Sequence, residues 1–106
     1  MPPDPREQQA AERARSLLAS RAESHRRWAA GHPVAFIPVM VQVGPEFMPA
    51  VRYEFYREGP GGWVFEREEL VPVLDESGQT VLTENPMVAA SEAELAASAL
   101  SREHGY

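Results

Sequence analysis

The fold of this chain is decided by residues 34–43, which read Val34-Ala35-Phe36-Ile37-Pro38-Val39-Met40-Val41-Gln42-Val43. Its odd positions form one continuous apolar face, and Val34, Phe36 and Met40 give the even face a partly apolar character. A strand that is apolar on both faces is usually central in a sheet or covered by a partner. Pro38 complicates this pattern, because a proline cannot donate to a ladder and favours an edge or a bulge.

Two more strands follow in the sequence. Residues 48–56 alternate cleanly and place Val51, Tyr53 and Phe55 on one face. The run Gly59-Pro60-Gly61-Gly62 is a strong turn signal, and residues 63–66 then place Trp63 and Phe65 together. Cross-strand pairing of Tyr53 or Phe55 with Trp63 or Phe65 would give the sheet an aromatic patch.

A further hairpin is predicted after these strands. Residues 70–74 and 79–83 are strand-like, and they flank Asp75-Glu76-Ser77-Gly78, which fits a type I turn closed by a left-handed glycine. Because the connections are tight hairpins, we expect an antiparallel meander of four to five strands over residues 33–83.

Helices are predicted on both sides of this meander. The first covers residues 4–30, with Asp4 as N-cap, Pro5 in the first helical position and Gly31 as the stop. Its first turns have almost nothing to bury, so we expect its C-terminal half to pack on the sheet and its N-terminal half to project, fray or meet a partner.

The second helix is predicted over residues 91–102, because Ser91 and Glu94 form a capping box after a break at Asn85-Pro86. The tail after it is expected to be loose. The chain is thus a single α+β domain, residues 1–106. It has a long N-terminal helical arm, a four- to five-stranded antiparallel sheet and a short C-terminal helix.

Composition excludes several classes of protein. The chain has 106 residues and no cysteine, which excludes disulfides and thiolate metal sites. It has no apolar run long enough to cross a bilayer, and Met1-Pro2-Pro3-Asp4-Pro5-Arg6 lacks the apolar region of a secretory signal. We expect a soluble, acidic, cytoplasmic protein that does not act at a membrane. All ten cations are arginine, which suggests a bacterial source with a GC-rich genome.

No motif in the sequence indicates catalysis. There is no Gly-x-Ser-x-Gly elbow and no phosphate-binding glycine loop, and the acids after residue 65 lie at strand ends and turns. The three histidines, His25, His32 and His104, lack metal-ligand spacing. We therefore predict no enzyme activity, no metal and no cofactor.

Charge is divided unevenly along the chain. Residues 1–30 carry six arginines against four acids, a local charge of +2, whereas the remainder carries −8. The densest basic and aromatic cluster of the first helix is Arg21, His25, Arg26, Arg27 and Trp28. Nucleic-acid binding through this helix is one alternative function, although acids interrupt the cluster and the acidic remainder would repel a polyanion. Another alternative is docking on an acidic protein surface, including a second copy of this chain.

The sheet has more large apolar side chains than two alanine-rich helices can obviously cover. The candidate contact residues of the sheet are Phe36, Met40, Tyr53, Phe55, Trp63 and Phe65. We predict a non-enzymatic protein–protein interaction module, such as an accessory subunit, adaptor or inhibitor, that acts as a homodimer or other oligomer. A further alternative is a small-molecule-binding cup lined by sheet aromatics, with Tyr53, Phe55 and Trp63 in its wall.

Overall fold

The computed structural model describes residues 4–106 and has two helices and a three-stranded antiparallel sheet of order β1-β2-β3. In chain order the elements are α1 (Pro5–Trp28), β1 (Val34–Val43), β2 (Glu46–Gly59), β3 (Gly62–Pro72) and α2 (Pro86–Glu103). The predicted α+β class and antiparallel sheet are confirmed. Residues 1–3, part of the segment that argued against a secretory signal, lie outside the described residues. No helix within residues 4–106 is long and apolar enough to span a bilayer.

The strand count is lower than the predicted four to five. β3 continues to Pro72, so it joins the predicted third strand to the start of the predicted fourth. Beyond it, the chain makes only the single bridges Leu74↔Thr80 and Phe47↔Thr83. The physical reason is the tight turn at Asp75, whose carboxylate accepts from the backbone N–H groups of Ser77 and Gln79. This local turn forms as expected, but too few residues on either side continue the ladder.

α2 begins earlier than the predicted residue 91. The side-chain oxygen of Asn85 accepts from the N–H groups of Met87 and Val88, and Pro86 occupies the first turn. Asparagine is a strong N-cap and proline suits the first helical position, so the pair read as a break is the start signal itself. Ser91 is exposed inside the helix. The same arrangement at Asp4 and Pro5 begins α1 as expected.

The helices pack on each other through small side chains. Ala11, Ala14 and Leu18 of α1 are buried, and their clusters include Ala89 and Ala90 of α2. Alanine permits close approach of two helices, so α1 is packed from its second turn onward and only its first turn and a half projects. This corrects the expectation that the whole N-terminal half projects.

The sheet register assigns its side chains to two faces. Val34, Phe36 and Met40 share one face with Val51 and Tyr53, and α2 covers this face through residues that include Ala97 and Leu100. We name the opposite side the open face. It carries Val39, Val41 and Val43 of β1, Met48 and Arg52 of β2, and Trp63, Phe65, Glu68 and Leu70 of β3.

The end of α1 and the C-terminus close the other end of the sheet. Ala22 and Ala29 of α1 pack against Ala35 and Ile37, which are almost fully buried. The Tyr106 hydroxyl donates to the Val34 carbonyl at 2.6 Å, so the tail expected to be loose is tied to β1. The end of α1 therefore covers the open face only near Ala35 and Ile37.

Candidate interaction surface

β3 is the least covered element of the molecule. Within residues 4–106 its backbone lies near neither helix, and every residue from Gly62 to Val71 is exposed. Its large apolar side chains keep between 39% and 50% of their surface accessible; these are Trp63, Val64, Phe65, Leu70 and Val71. Such a row on one edge strand is an uncovered apolar surface with unpaired backbone groups beside it.

The open face contains a shallow depression of about 360 Å³. Val39, Val41 and Leu70 form its apolar walls, and Arg52 and Glu68 face each other across it, with Nε and Oε2 3.4 Å apart. An exposed ion pair of this kind adds little stability. Apolar walls with a polar centre suit the docking of a side chain from another protein.

The predicted sheet contacts divide between the two faces. Phe36 is 1% exposed and belongs to the core, so it is not an intermolecular contact. Met40, Tyr53 and Phe55 lie on the helix-covered face and are partly buried. Only Trp63 and Phe65 lie on the open face and remain exposed.

The hairpin turn sets this division. Regular pairing from Gly59 and Gly62 places Trp63 opposite Glu58 and Phe65 opposite Tyr56, with the two rings 5.8 Å apart, and a β-bulge at Glu66 then shifts the register between Phe55 and Tyr56. The expected pairing of Tyr53 or Phe55 with Trp63 or Phe65 does not form. Tyr53, Phe55 and Trp63 consequently cannot line one cup, because Trp63 points to the opposite side of the sheet.

The sequence predicts His25 as a surface contact of the first helix. The structure contradicts this prediction, because His25 is fully buried and belongs to the core. Its Nε2 lies 3.0 Å from Oε2 of Glu94, and Arg21 donates to Oε1 of the same carboxylate at 2.6 Å. Ser98 donates to Oε1 as well. Burial would raise the pKa of Glu94, but the hydrogen bonds from Arg21 and His25 outweigh it and lower that pKa. This cluster joins α1 to α2.

Arg26 is also bound to a carboxylate of the fold, although its side chain is 43% exposed. Its Nε and Nη2 donate to the two carboxylate oxygens of Glu54 at 2.9 and 3.0 Å, and the Tyr56 hydroxyl donates to Oε1. Burial would raise the pKa of Glu54, yet these hydrogen bonds lower it overall. Of the predicted helix contacts, Arg27 and Trp28 remain at the surface without a carboxylate partner in the described chain.

Several surface residues were absent from the predicted contacts. Val64, Leu70 and Val71 are exposed members of β3. The sequence predicts residues 63–66 as the third strand and residues 70–74 as part of a separate hairpin, so it does not place these side chains on one edge. A continuous β3 places both apolar stretches on one edge.

The described residues contain no group of three potential metal ligands. Comparison with protein-family models, with curated proteins and with solved structures finds no match for this chain. The function is therefore inferred from the chain's own surface.

Proposed function

We propose that this chain is a non-enzymatic protein–protein interaction module, an accessory subunit, adaptor or inhibitor, that works as an oligomer through β3 and the open face. The observation that carries the proposal is the exposure of five large apolar side chains on one edge strand that neither helix covers. Uncovered patches of this kind mark interfaces, with Trp, Phe and Arg as their usual anchors.

The size of the exposed surface supports the proposal. The chain exposes 6861 Å², and a compact monomer of its mass would expose about 5,900 Å². The excess is similar to the ~800 Å² that each partner buries in a standard interface.

The arginine helix supports nucleic-acid binding less well. Two of its six arginines, Arg21 and Arg26, are bound to the carboxylates of Glu94 and Glu54. Counterion release requires cations that are free to meet phosphates. The protein-binding proposal depends instead on exposed apolar side chains.

The test is the mass of the chain in solution, measured by sedimentation equilibrium or by light scattering. We expect a multiple of 11.8 kDa. Phe65→Glu adds a charge at the centre of the apolar row and should weaken association more than tenfold, the effect of losing about 1.4 kcal/mol or more at an interface anchor.

Leu95→Glu is the matched control. Leu95 is the most exposed large apolar residue and lies on α2, outside the proposed surface, so this variant should associate like the parent chain. A parent chain that stays at 11.8 kDa near 0.1 mM would overturn the oligomer. Salt-sensitive binding to DNA or RNA that disappears in Arg13→Ala with Arg27→Ala would favour the nucleic-acid alternative instead.

A further inference from the structure

We infer that the occupant of the β3 edge is β3 of a second copy, paired antiparallel about a twofold axis at Glu68. This inference rests on the proposed function and names its partner and geometry. Two three-stranded sheets would become one continuous sheet of six strands, with the open faces of both copies on the same side.

The strand is self-complementary about that axis. It reads as an apolar triplet, four charged residues and a second apolar triplet, Trp63-Val64-Phe65, Glu66-Arg67-Glu68-Glu69 and Leu70-Val71-Pro72. Outside the two bulges, antiparallel pairing of two copies brings together the residues whose numbers add to 135, so the apolar pairs are Trp63 with Pro72, Val64 with Val71, and Phe65 with Leu70. Each pair occurs twice in a symmetric dimer.

The faces of the paired side chains agree in this register. Phe65 and Leu70 both lie on the open face, and Val64 and Val71 both lie on the other. This agreement depends on the bulge at Glu66, because it reverses the alternation between the two halves of β3. Without the bulge, an odd sum would place paired residues on opposite faces.

The N–H and C=O groups of the paired residues also point in compatible directions. The Val73 N–H donates to the Pro49 carbonyl at 3.0 Å, so Val73 directs its backbone toward β2. By the alternation of an antiparallel ladder, Leu70 directs its N–H and C=O outward, and beyond the bulge Phe65 does the same. The pair of Phe65 and Leu70 therefore has the backbone orientation of a hydrogen-bonded pair, and Val64 with Val71 that of a non-hydrogen-bonded pair.

The charged centre contributes both attraction and repulsion in this register. Between the two bulges the paired numbers add to 136, so Arg67 of one copy lies beside Glu69 of the other, while Glu68 opposite its own copy opposes association. A slip of two residues to a sum of 133 places Glu68 opposite Phe65 and Glu69 opposite Val64. Such a slip keeps only the apolar pair of Trp63 with Leu70 and is disfavoured.

In this dimer the depression on the open face lies beside the second copy. Leu70 forms one wall of that depression, and Phe65 of the second copy would lie directly beside Leu70. An aromatic side chain then borders the apolar wall of this depression. Six apolar pairs and a new ladder of backbone hydrogen bonds would therefore bury the excess exposed surface against the second copy.

The test is disulfide formation between two single-cysteine variants, Val64→Cys and Val71→Cys, because the chain has no cysteine of its own. A non-hydrogen-bonded pair places its Cα atoms about 4.5 Å apart, within the range of a disulfide. A residue and its own copy lie about 20 Å apart along the paired strands, too far for a bond.

We expect a covalent dimer linked from 64 to 71 when the two variants are mixed and oxidised, and none with either variant alone. Leu95→Cys mixed with Val71→Cys is the control and should stay unlinked. Association without the link from 64 to 71 would overturn edge pairing and leave the proposed function standing. A chain that is monomeric and unlinked would overturn both.

Discussion

The carboxylate of Glu54 shows how one residue determines which arginines are available to a partner. Glu54 is 6% exposed although it lies in β2 of a sheet with an uncovered face. A buried carboxylate is costly unless its oxygens are hydrogen-bonded, and Arg26 and Tyr56 supply those bonds. Arg26 thus has a structural role. The neighbouring Arg27 has no carboxylate partner among residues 4–106, so its charge is available to a partner.

We predict that Arg26→Met lowers the free energy of unfolding at pH 7 by about 1–3 kcal/mol, because Glu54 keeps its burial and loses two donors. The pKa of Glu54 is lowered in the folded chain. The stabilisation is therefore present above the ordinary pKa of 4.5 and is lost as the pH falls through the lower folded value. Urea unfolding at pH 7 and at pH 3 measures both effects.

Arg27→Met is the control for this substitution. Arg27 is exposed, and its guanidinium donates to the Ser24 hydroxyl at 3.4 Å without a carboxylate partner among residues 4–106. We expect a change within about 0.5 kcal/mol at either pH. Equal losses for the two variants, or a loss for Arg26→Met that does not shrink at low pH, would contradict the role given to Glu54.

At the scale of the element, α2 shows that a local signal can be present and misread. Asn85-Pro86 resembles the break that separates a sheet from a helix, and Ser91 with Glu94 resembles a capping box. The structure uses Asn85 as the N-cap. Glu94 is instead directed toward α1, where it binds Arg21 and His25.

We predict that Asn85→Ala destabilises the chain by about 1 kcal/mol, since an N-cap side chain satisfies helix N–H groups that otherwise lack a partner. The midpoint of thermal unfolding should fall by about 4–8 °C for a domain of this size. Ser91→Ala should leave the midpoint unchanged or raise it slightly, because alanine is the better helix former at an exposed position. The reverse order would show that the helix begins at residue 91.

The proposed function depends most on where β3 begins and ends. Its charged centre resembles the end of a strand, yet the chain stays extended through it to Pro72. Pairing with β2 over the whole length of β3 holds these charged residues in the sheet. The exposed edge of ten residues exists only because the strand is continuous.

The whole molecule is elongated. Its extents are 53 × 30 × 20 Å and its radius of gyration is 15.0 Å, while a compact chain of this length has about 13 Å. The hairpin of β2 and β3 accounts for this shape in part, because β3 lacks a helix against it within residues 4–106. A shape of this kind suits assembly, in which a second chain supplies the missing cover.

Charge at this scale distinguishes two modes of self-association. In one mode, the basic arm (residues 1–30, charge +2) of one copy contacts the acidic body (residues 31–106, charge −8) of another. This contact would weaken as the salt concentration rises. β3 pairing instead brings two acidic strand centres together, each with three glutamates and one arginine. Screening reduces that repulsion, and the apolar pairs are insensitive to it.

We predict that the dimer dissociation constant stays constant or falls when NaCl rises from about 0.1 to 1 M, a range in which the Debye length shortens from about 10 to 3 Å. Sedimentation at each salt concentration measures the constant. Phe65→Glu measured in the same series should remain weak throughout. Dissociation of the parent chain by salt would indicate contact between arm and body.

The sequence by itself determined the features that depend on residues a few positions apart. These are the cap at Asp4-Pro5, the turn at Gly59–Gly62, the turn at Asp75 and the alternation of the first two strands. It also indicated that residues 34–43 need cover on both faces. Capping and turn formation are local hydrogen-bonding effects, so neighbouring residues are sufficient to predict them.

Only the tertiary structure decided which side chains share a surface. Arg26 meets Glu54 across 28 positions and Arg21 meets Glu94 across 73, and no local pattern indicates either contact. Pairing from the turn places Trp63 and Phe65 on the face opposite Tyr53, and one extra residue at Glu66 reverses the alternation for the rest of β3. Because a strand alternates with a period of two, a shift of one residue reverses the surface that the protein presents.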